Sequence, residues 1–266
     1  MDVKSNEYQN HTVFALLDEL ITYYDWWSFS IMSFMSSGTK SIINIDTYIY
    51  SSIHGTLQSI KLILQDGQIN DAYALIRKFQ DAIVMNVYTN LYLSDNHSLD
   101  NFIVKKVQGW LDGSDQLPNF RAMTNYIKDN RATKNLYDLI NKDDRYERIR
   151  DRGNNNTHYN FYSNVMLNVS NAYNKDRGKY LNTIKHDLEH LVLMHLAYIF
   201  SIAEHYMVSS DYMDHLECGM TPPENSQYWV ANGVQEIFDK IIKKSRPDIA
   251  KYVLETTSMQ LNQKTN

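Results

Sequence analysis

The first 117 residues contain no proline, and the whole chain of 266 residues has only four, with nine glycines. That scarcity is the strongest constraint on the fold. A β-rich chain would need turn residues every roughly 8–12 positions, far more than are present. Helical periodicity is found instead. Ile42, Ile45, Ile49, Ile53, Leu57, Ile60 and Leu64 step by three or four, and Asp66-Gly67 follows as a C-cap would. Ala72, Ile76, Phe79, Ile83, Val87 and Leu91 form a second stripe. Leu181, Ile184, Leu188, Leu191, His195, Ile199 and Ile202 form a third.

These stripes predict an all-α chain of about eight to ten helices around three long ones. An aromatic-rich first helix is expected over 12–36, with Tyr23, Tyr24, Trp26 and Trp27 at its centre. Shorter helices are expected over 98–111, 119–128, 134–151, 157–172 and 226–244, and a last one over 247–257 with Pro247 near its start. The chain is read as a single all-α domain over 1–266, a helical bundle with additional N- and C-terminal helices. Its bundle core covers 40–205, and accessory helices cover 209–266. The loop 209–225, with Gly219 and Pro222-Pro223, is the best candidate boundary.

Composition narrows the function classes. Net charge is −5, so any nucleic-acid site must be a local patch rather than a global basic field. Cys218 is the single cysteine, which leaves no internal disulfide and fits a reducing cytoplasm. The opening residues lack the basic-then-apolar layout of a signal peptide. The apolar run Leu191 to Ala203 is too short to cross a bilayer, so no membrane partner is expected.

The stretch RDRGNNNTHYN, residues 150–160, carries the most chemistry. If the preceding helix ends at Gly153 and the asparagines form a tight loop, Asn156 or Thr157 caps the next helix. Arg152 and His158 then face each other across the joint and converge on one phosphate. Arginine supplies a fixed forked charge, and histidine a proton donor or acceptor near neutral pH. RNA brings its own nucleophile, the 2′-hydroxyl, so a base and a phosphate clamp suffice without metal. Arg145, Arg148 and Arg152 recur on one helix face, either as a phosphate-tracking strip or as a solvated mixed-charge face. Tyr159 and Tyr162 either stack on bases or pack into the core. The bland alternative is a surface turn, because Asn and Gly gather in turns.

Arg152 and His158, with five residues between them, resemble the R-x4–6-H motif of the HEPN superfamily, all-α proteins that include ribonucleases. Many members place Asn, Asp or His directly after the arginine, where this chain has Gly153. The segment GQINDAYALIRKFQDAI, residues 67–83, is similar to a helix of larger bacterial HEPN-like proteins. Arg77 and Asp81 in it are spaced to pair along the helix, and a polar residue from this helix can sit beside the motif. The resemblance spans about residues 40–205. It implies metal-independent cleavage of RNA to a 2′,3′-cyclic phosphate by a homodimer, with no cofactor. Arg152 and His158 would be catalytic, and Asn156, Arg148, Arg77, Asp81 and Tyr159 would support the site or hold RNA. It also implies a role as a toxin or phage-defence effector, with an antitoxin or regulator protein as partner. Some members are not nucleases, so the alternative is a non-catalytic module that binds protein or nucleotide.

A rival motif is His186-Asp187-Leu188-Glu189-His190, which matches the H-x-x-E-H zinc pattern. Histidines four apart share a helix face, Glu189 would be the base, and Glu217 or Glu255 would be nominal third ligands. The pattern lies on an unbroken apolar stripe, as expected of a packed helix, and the α/β sheet of such zinc enzymes is absent from the sequence pattern. No metal site is therefore expected. His195, on the same stripe, is expected to be a hydrogen-bonded core residue. No phosphate-cradling glycine loop and no G-x-S-x-G elbow occurs.

Overall fold

A computed structural model describes residues 1–261. The helices are α1 (Asn6–Gln9), α2 (Thr12–Ser30), α3 (Ile45–Gln65), α4 (Ile69–Asn96), α5 (Lys105–Leu111), α6 (Phe120–Asp129) and α7 (Lys134–Ile140). They continue with α8 (Arg145–Thr157), α9 (Tyr162–Val165), α10 (Arg177–Ile202), α11 (Ser210–Glu217), α12 (Asn232–Ile237) and α13 (Pro247–Thr256). Among the described residues the only extended pairing is an isolated antiparallel bridge between Val208 and Val230. The fold is all-α. None of the described helices is long and apolar enough to cross a membrane.

Two compact units share the chain. The first comprises Met1–Met123 and Asp143–Leu191; the second comprises Thr124–Lys142 and the described residues from Val192 to Leu261. The loop 209–225 lies inside the second unit.

In the first unit α2 packs on α3, α3 on α4, and α4 on α8. The expected stripes form this core. Leu17, Leu20, Tyr24 and Trp27 of α2 are wholly buried. The Trp27 indole stacks on Tyr50 with centroids 4.4 Å apart, and Tyr24 meets Phe79 edge-on at 6.1 Å. Every residue of the second stripe, Ala72 to Leu91, is buried on α4. The α3 stripe starts one step later than its spacing suggests. The side chain of Asn44 accepts from the Asp46 and Thr47 amides, so the helix begins at Ile45 and Ile42 lies outside it, 84% exposed. At its other end the Gly67 amide bonds Leu64 and the Gln68 amide bonds Ile63, a Schellman motif with Gly67 at φ 82°. A Cβ on Gly67 would also lie 2.5 Å from Val3.

The second unit packs α13 against α7, and α12 and α13 against a π-helical segment, Phe238–Lys243. Arg246 clasps Asp248 with two bonds of 2.8 Å and donates to the Leu139 carbonyl at 2.7 Å. The guanidinium holds the Asp248 carboxyl well below the usual carboxylate range.

Several expected boundaries move. The first helix ends at Ser30, not 36. The 98–111 helix shortens to α5, because Ser98 and Asn101 close a turn on each other and leave Leu99 94% exposed. The 226–244 helix divides into a 3-10 turn at Ser226–Tyr228, α12 and the π segment. The largest corrections fall at the motif. The 134–151 helix breaks after Ile140, where the Asp143 side chain accepts from the Arg145 amide and starts α8 anew. That helix then runs straight through Gly153 and the three asparagines. No long helix fills 157–172: Tyr159 turns into the left-handed region at φ 48°, and only α9 and a 3-10 turn at Met166–Asn168 follow.

Candidate functional site

The helical course of α8 rearranges the candidate site. Tyr146, Ile149, Gly153 and Asn156 recur at three and four residues and form its buried face. Gly153 is there for space, not for a turn. A Cβ on it would lie 2.6 Å from the Arg77 Cβ and 3.4 Å from the Tyr73 carbonyl oxygen, so the glycine lets α8 approach α4. Asn156 serves this contact. Its side-chain oxygen accepts from Asn70 of α4 at 2.9 Å, and its amide nitrogen donates to the Arg152 carbonyl at 2.8 Å. Asn168, from the turn after α9, caps α4 by accepting from the Asn70 and Asp71 amides at 2.9 and 3.3 Å.

Arg152 and His158 therefore do not face each other across a joint. Six residues of one helix place them about 9 Å apart along the axis and roughly 120° apart around it. Arg152 turns toward α10. Its Nε donates to Asp187 Oδ2 at 2.9 Å and its Nη2 donates to Asp187 Oδ1. The Asp187 side chain is 5% exposed and that of Arg152 33%. Burial pushes the Asp187 carboxyl up, and the Arg152 hydrogen bond and charge oppose it. Tyr73 of α4 completes the group. Its buried phenol is pushed up, chiefly by burial and then by the Asp187 charge.

Seven residues earlier, Arg145 lies on the same face of α8 and also reaches α10. Its Nη1 contacts His190 Nδ1 at 3.1 Å, and its Nη2 donates to Asp143 at 3.1 Å. Arg148 points away into an exposed i,i+4 pair with Asp144 at 2.6 Å. The expected arginine strip is thus divided: Arg145 and Arg152 bind α8 to α10, and Arg148 is a solvated surface charge.

The expected Arg77–Asp81 pair is absent. Asp81 accepts from Arg150 Nη1 at 2.6 Å, and the Arg150 guanidinium covers the Phe120 ring at 3.3 Å. The Arg77 stem lies under Gly153, and its Nε is buried with no hydrogen-bond partner.

His158 caps the end of α8, with its amide bonded to the Asn154 carbonyl. The side chain is exposed. Beyond it the backbone reverses at Tyr159 and presents three large aromatics to solvent: Tyr159 at 50%, Phe161 at 59% and Tyr162 at 79% exposure. The tyrosines expected either to stack or to pack are on the surface.

The zinc pattern does not assemble. His186 contacts Glu189 at 3.2 Å, while His190 meets Arg145. Among the described residues no three His, Cys, Asp or Glu side chains gather as a metal site. Asp187, the second residue of that pattern, is the residue sequence reasoning missed. It is three after Ile184 and four before Leu191, on the apolar stripe, and an acid on a buried stripe requires a cation. His195 is wholly buried in the second unit, and burial pushes its imidazole down to about 3.

Comparison with models of protein families, with curated proteins and with solved structures yields no match.

Proposed function

We propose that this chain is a metal-independent endoribonuclease of the HEPN kind, a cytoplasmic effector of toxin or phage-defence type, in which His158 moves the proton. The observation that carries this reading is the exposed His158 side chain at the end of α8, followed at once by the exposed rings of Tyr159, Phe161 and Tyr162. Exposed aromatics hold unstacked bases by their faces. A histidine beside them can take the 2′-hydroxyl proton. The 2′-oxygen then attacks the adjacent phosphorus, the P–O5′ bond breaks, and the 5′-oxygen of the next nucleotide takes a proton from water. The products are a 2′,3′-cyclic phosphate and a 5′-hydroxyl. Asp187 fixes the plane of the Arg152 guanidinium through Nε and Nη2, and Nη1 has no acceptor among the described residues. Because Arg152 and His158 diverge within one chain, a phosphate clamp at His158 draws on a second copy, in keeping with the homodimer implied by the resemblance.

A second reading has its own support. The bidentate bond to a buried Asp187 neutralises Arg152, which suits a structural tie between α8 and α10 in a non-catalytic binding module. RNA cleavage by purified wild type and His158→Ala, in EDTA, separates the two. Cleavage to cyclic-phosphate ends by wild type alone, with both proteins equally helical by circular dichroism, supports the nuclease. Protection or retention of labelled RNA without cleavage, lost on Tyr159→Ala and Tyr162→Ala, favours the binding module.

A further inference from the structure

A second feature of the first unit, one whose residues do not include His158, points to a ligand. A polar cavity of about 670 Å³ opens between the N-terminal segment, the α3–α4 turn and the segment that leads into α10. Its size is that of small-molecule sites. Arg177, the first residue of α10, lines it and is only 3% exposed. A buried guanidinium ordinarily has a carboxylate partner. Arg177 has none among the described residues. Its Nη1 donates to the Met1 carbonyl at 2.9 Å, and its Nη2 to the Val169 and Ser170 carbonyls at 2.9 and 3.0 Å. A guanidinium carries five N–H donors, so two stay uncommitted. Its charge is felt in the interior: burial pushes the nearby Tyr8 phenol up to about 12, and Arg177 opposes that rise.

The rim adds Lys4, the side-chain amides of Gln68 and Asn171, and the Tyr173 ring, 79% exposed. Asp2 and Asp66 also line the cavity, but both are exposed, where water and salt screen them. The buried charge of the lining is the positive one, Arg177. An inner cation, amides that can read a polar edge and an outer aromatic face together match one chemical class.

We propose that this cavity binds a mononucleotide, with its phosphate toward Arg177 and Lys4 and its base against Tyr173. The site is independent of the cleavage reading. Titration calorimetry of the full chain with AMP, adenosine and inorganic phosphate tests it. Binding of AMP near about 0.1 mM is expected. Adenosine and phosphate should each bind at least about 10-fold more weakly, because each lacks one half of the recognition. Tyr173→Ala should weaken AMP about 10-fold and leave phosphate unchanged, since stacking on one ring is worth about 1–3 kcal/mol. Lys4→Ala should weaken AMP and phosphate together. Arg177→Gln should abolish AMP binding, and if that variant unfolds, the two rim variants at exposed positions decide alone. No binding of AMP to wild type at millimolar concentration overturns the assignment. So does phosphate binding as tightly as AMP, or AMP binding indifferent to both rim variants.

Discussion

The Arg152–Asp187 pair makes an asymmetric prediction. The two partners are not equally buried: the carboxylate is 5% exposed and the guanidinium 33%. Removing one partner of a fully buried pair costs about 3–5 kcal/mol, because the other charge is left without compensation. Asp187→Asn orphans the partly hydrated arginine, and its cost falls below that range, at about 2 kcal/mol. Arg152→Met orphans the deeply buried carboxylate and costs the full ~3–5 kcal/mol at pH 7.5. Burial already pushes the Asp187 carboxyl up, and without its cation it rises further. The sign of the pH effect follows. An acid with a raised folded-state pKa binds more protons folded than unfolded above the ordinary carboxylate range, so stability falls as pH rises through that window. Arg152→Met should therefore regain stability as pH drops from 7.5 to 5, by a margin that wild type and Asp187→Asn do not show. The double variant Arg152→Met/Asp187→Leu should recover most of the loss, because two apolar groups replace both charges. Urea unfolding at both pH values, followed by circular dichroism and by Trp fluorescence, measures all four proteins. Equal costs below about 0.5 kcal/mol for the two single variants would mark an ordinary surface pair and refute the reasoning.

Two further expectations follow from burial. Gly153→Ala gains about 0.5–1 kcal/mol of helix propensity but sets a Cβ 2.6 Å from the Arg77 Cβ, a side-chain root that cannot swing away. Overpacking of about 1–3 kcal/mol wins, and the melting temperature should drop; a rise would show that α4 and α8 are not in close contact. His195 is neutral in the fold, with its imidazole pushed down to about 3, while the unfolded chain titrates near ~6.5. Below that pH the unfolded state takes up a proton that the folded state refuses, so stability falls as pH falls. By pH 4.5 the loss is about 2–3 kcal/mol, and His195→Leu should remove that part of the acid slope.

What the sequence made legible is what repeats. The stripes on α3, α4 and α10 each distribute a pattern over five turns or more, so one displaced residue such as Ile42 changes a boundary and not the helix. Local punctuation is weaker evidence, because one residue type serves unlike purposes. Gly67 and Gly153 look the same in the sequence. Gly67 ends a helix with a positive φ, whereas Gly153 sits inside one to admit Arg77. Three asparagines after a glycine suggest a loop, but their local tendency is overruled by a long-range bond from Asn156 to Asn70, 86 residues away. Likewise α4 is capped by Asn168, 98 residues on, which no local rule could supply. The buried face Tyr146, Ile149, Gly153 and Asn156 has helical spacing. Two of its four members are not apolar, so an apolar count passes over it.

The same limit shaped the candidate site. Distance in sequence from His158 points to Arg152, but it holds no information on which way a helix turns each side chain. Helical rotation sends Arg152 onto α10 and His158 into solvent. Asp187 decides what Arg152 can do, and its buried place on the α10 stripe was readable from spacing alone. A charge that must be compensated is a constraint on three-dimensional structure even when its partner is unknown. Arg177 presents the same constraint with a different outcome: it is buried at the head of the same helix, with carbonyls around it and no carboxylate among the described residues. In the first case the chain supplies the counter-charge and the guanidinium becomes a tie. In the second it supplies backbone carbonyls to the guanidinium, and Arg177 lines a cavity. That difference gives the Arg177 cavity a stronger claim to a small anionic ligand than the Arg152 pair has.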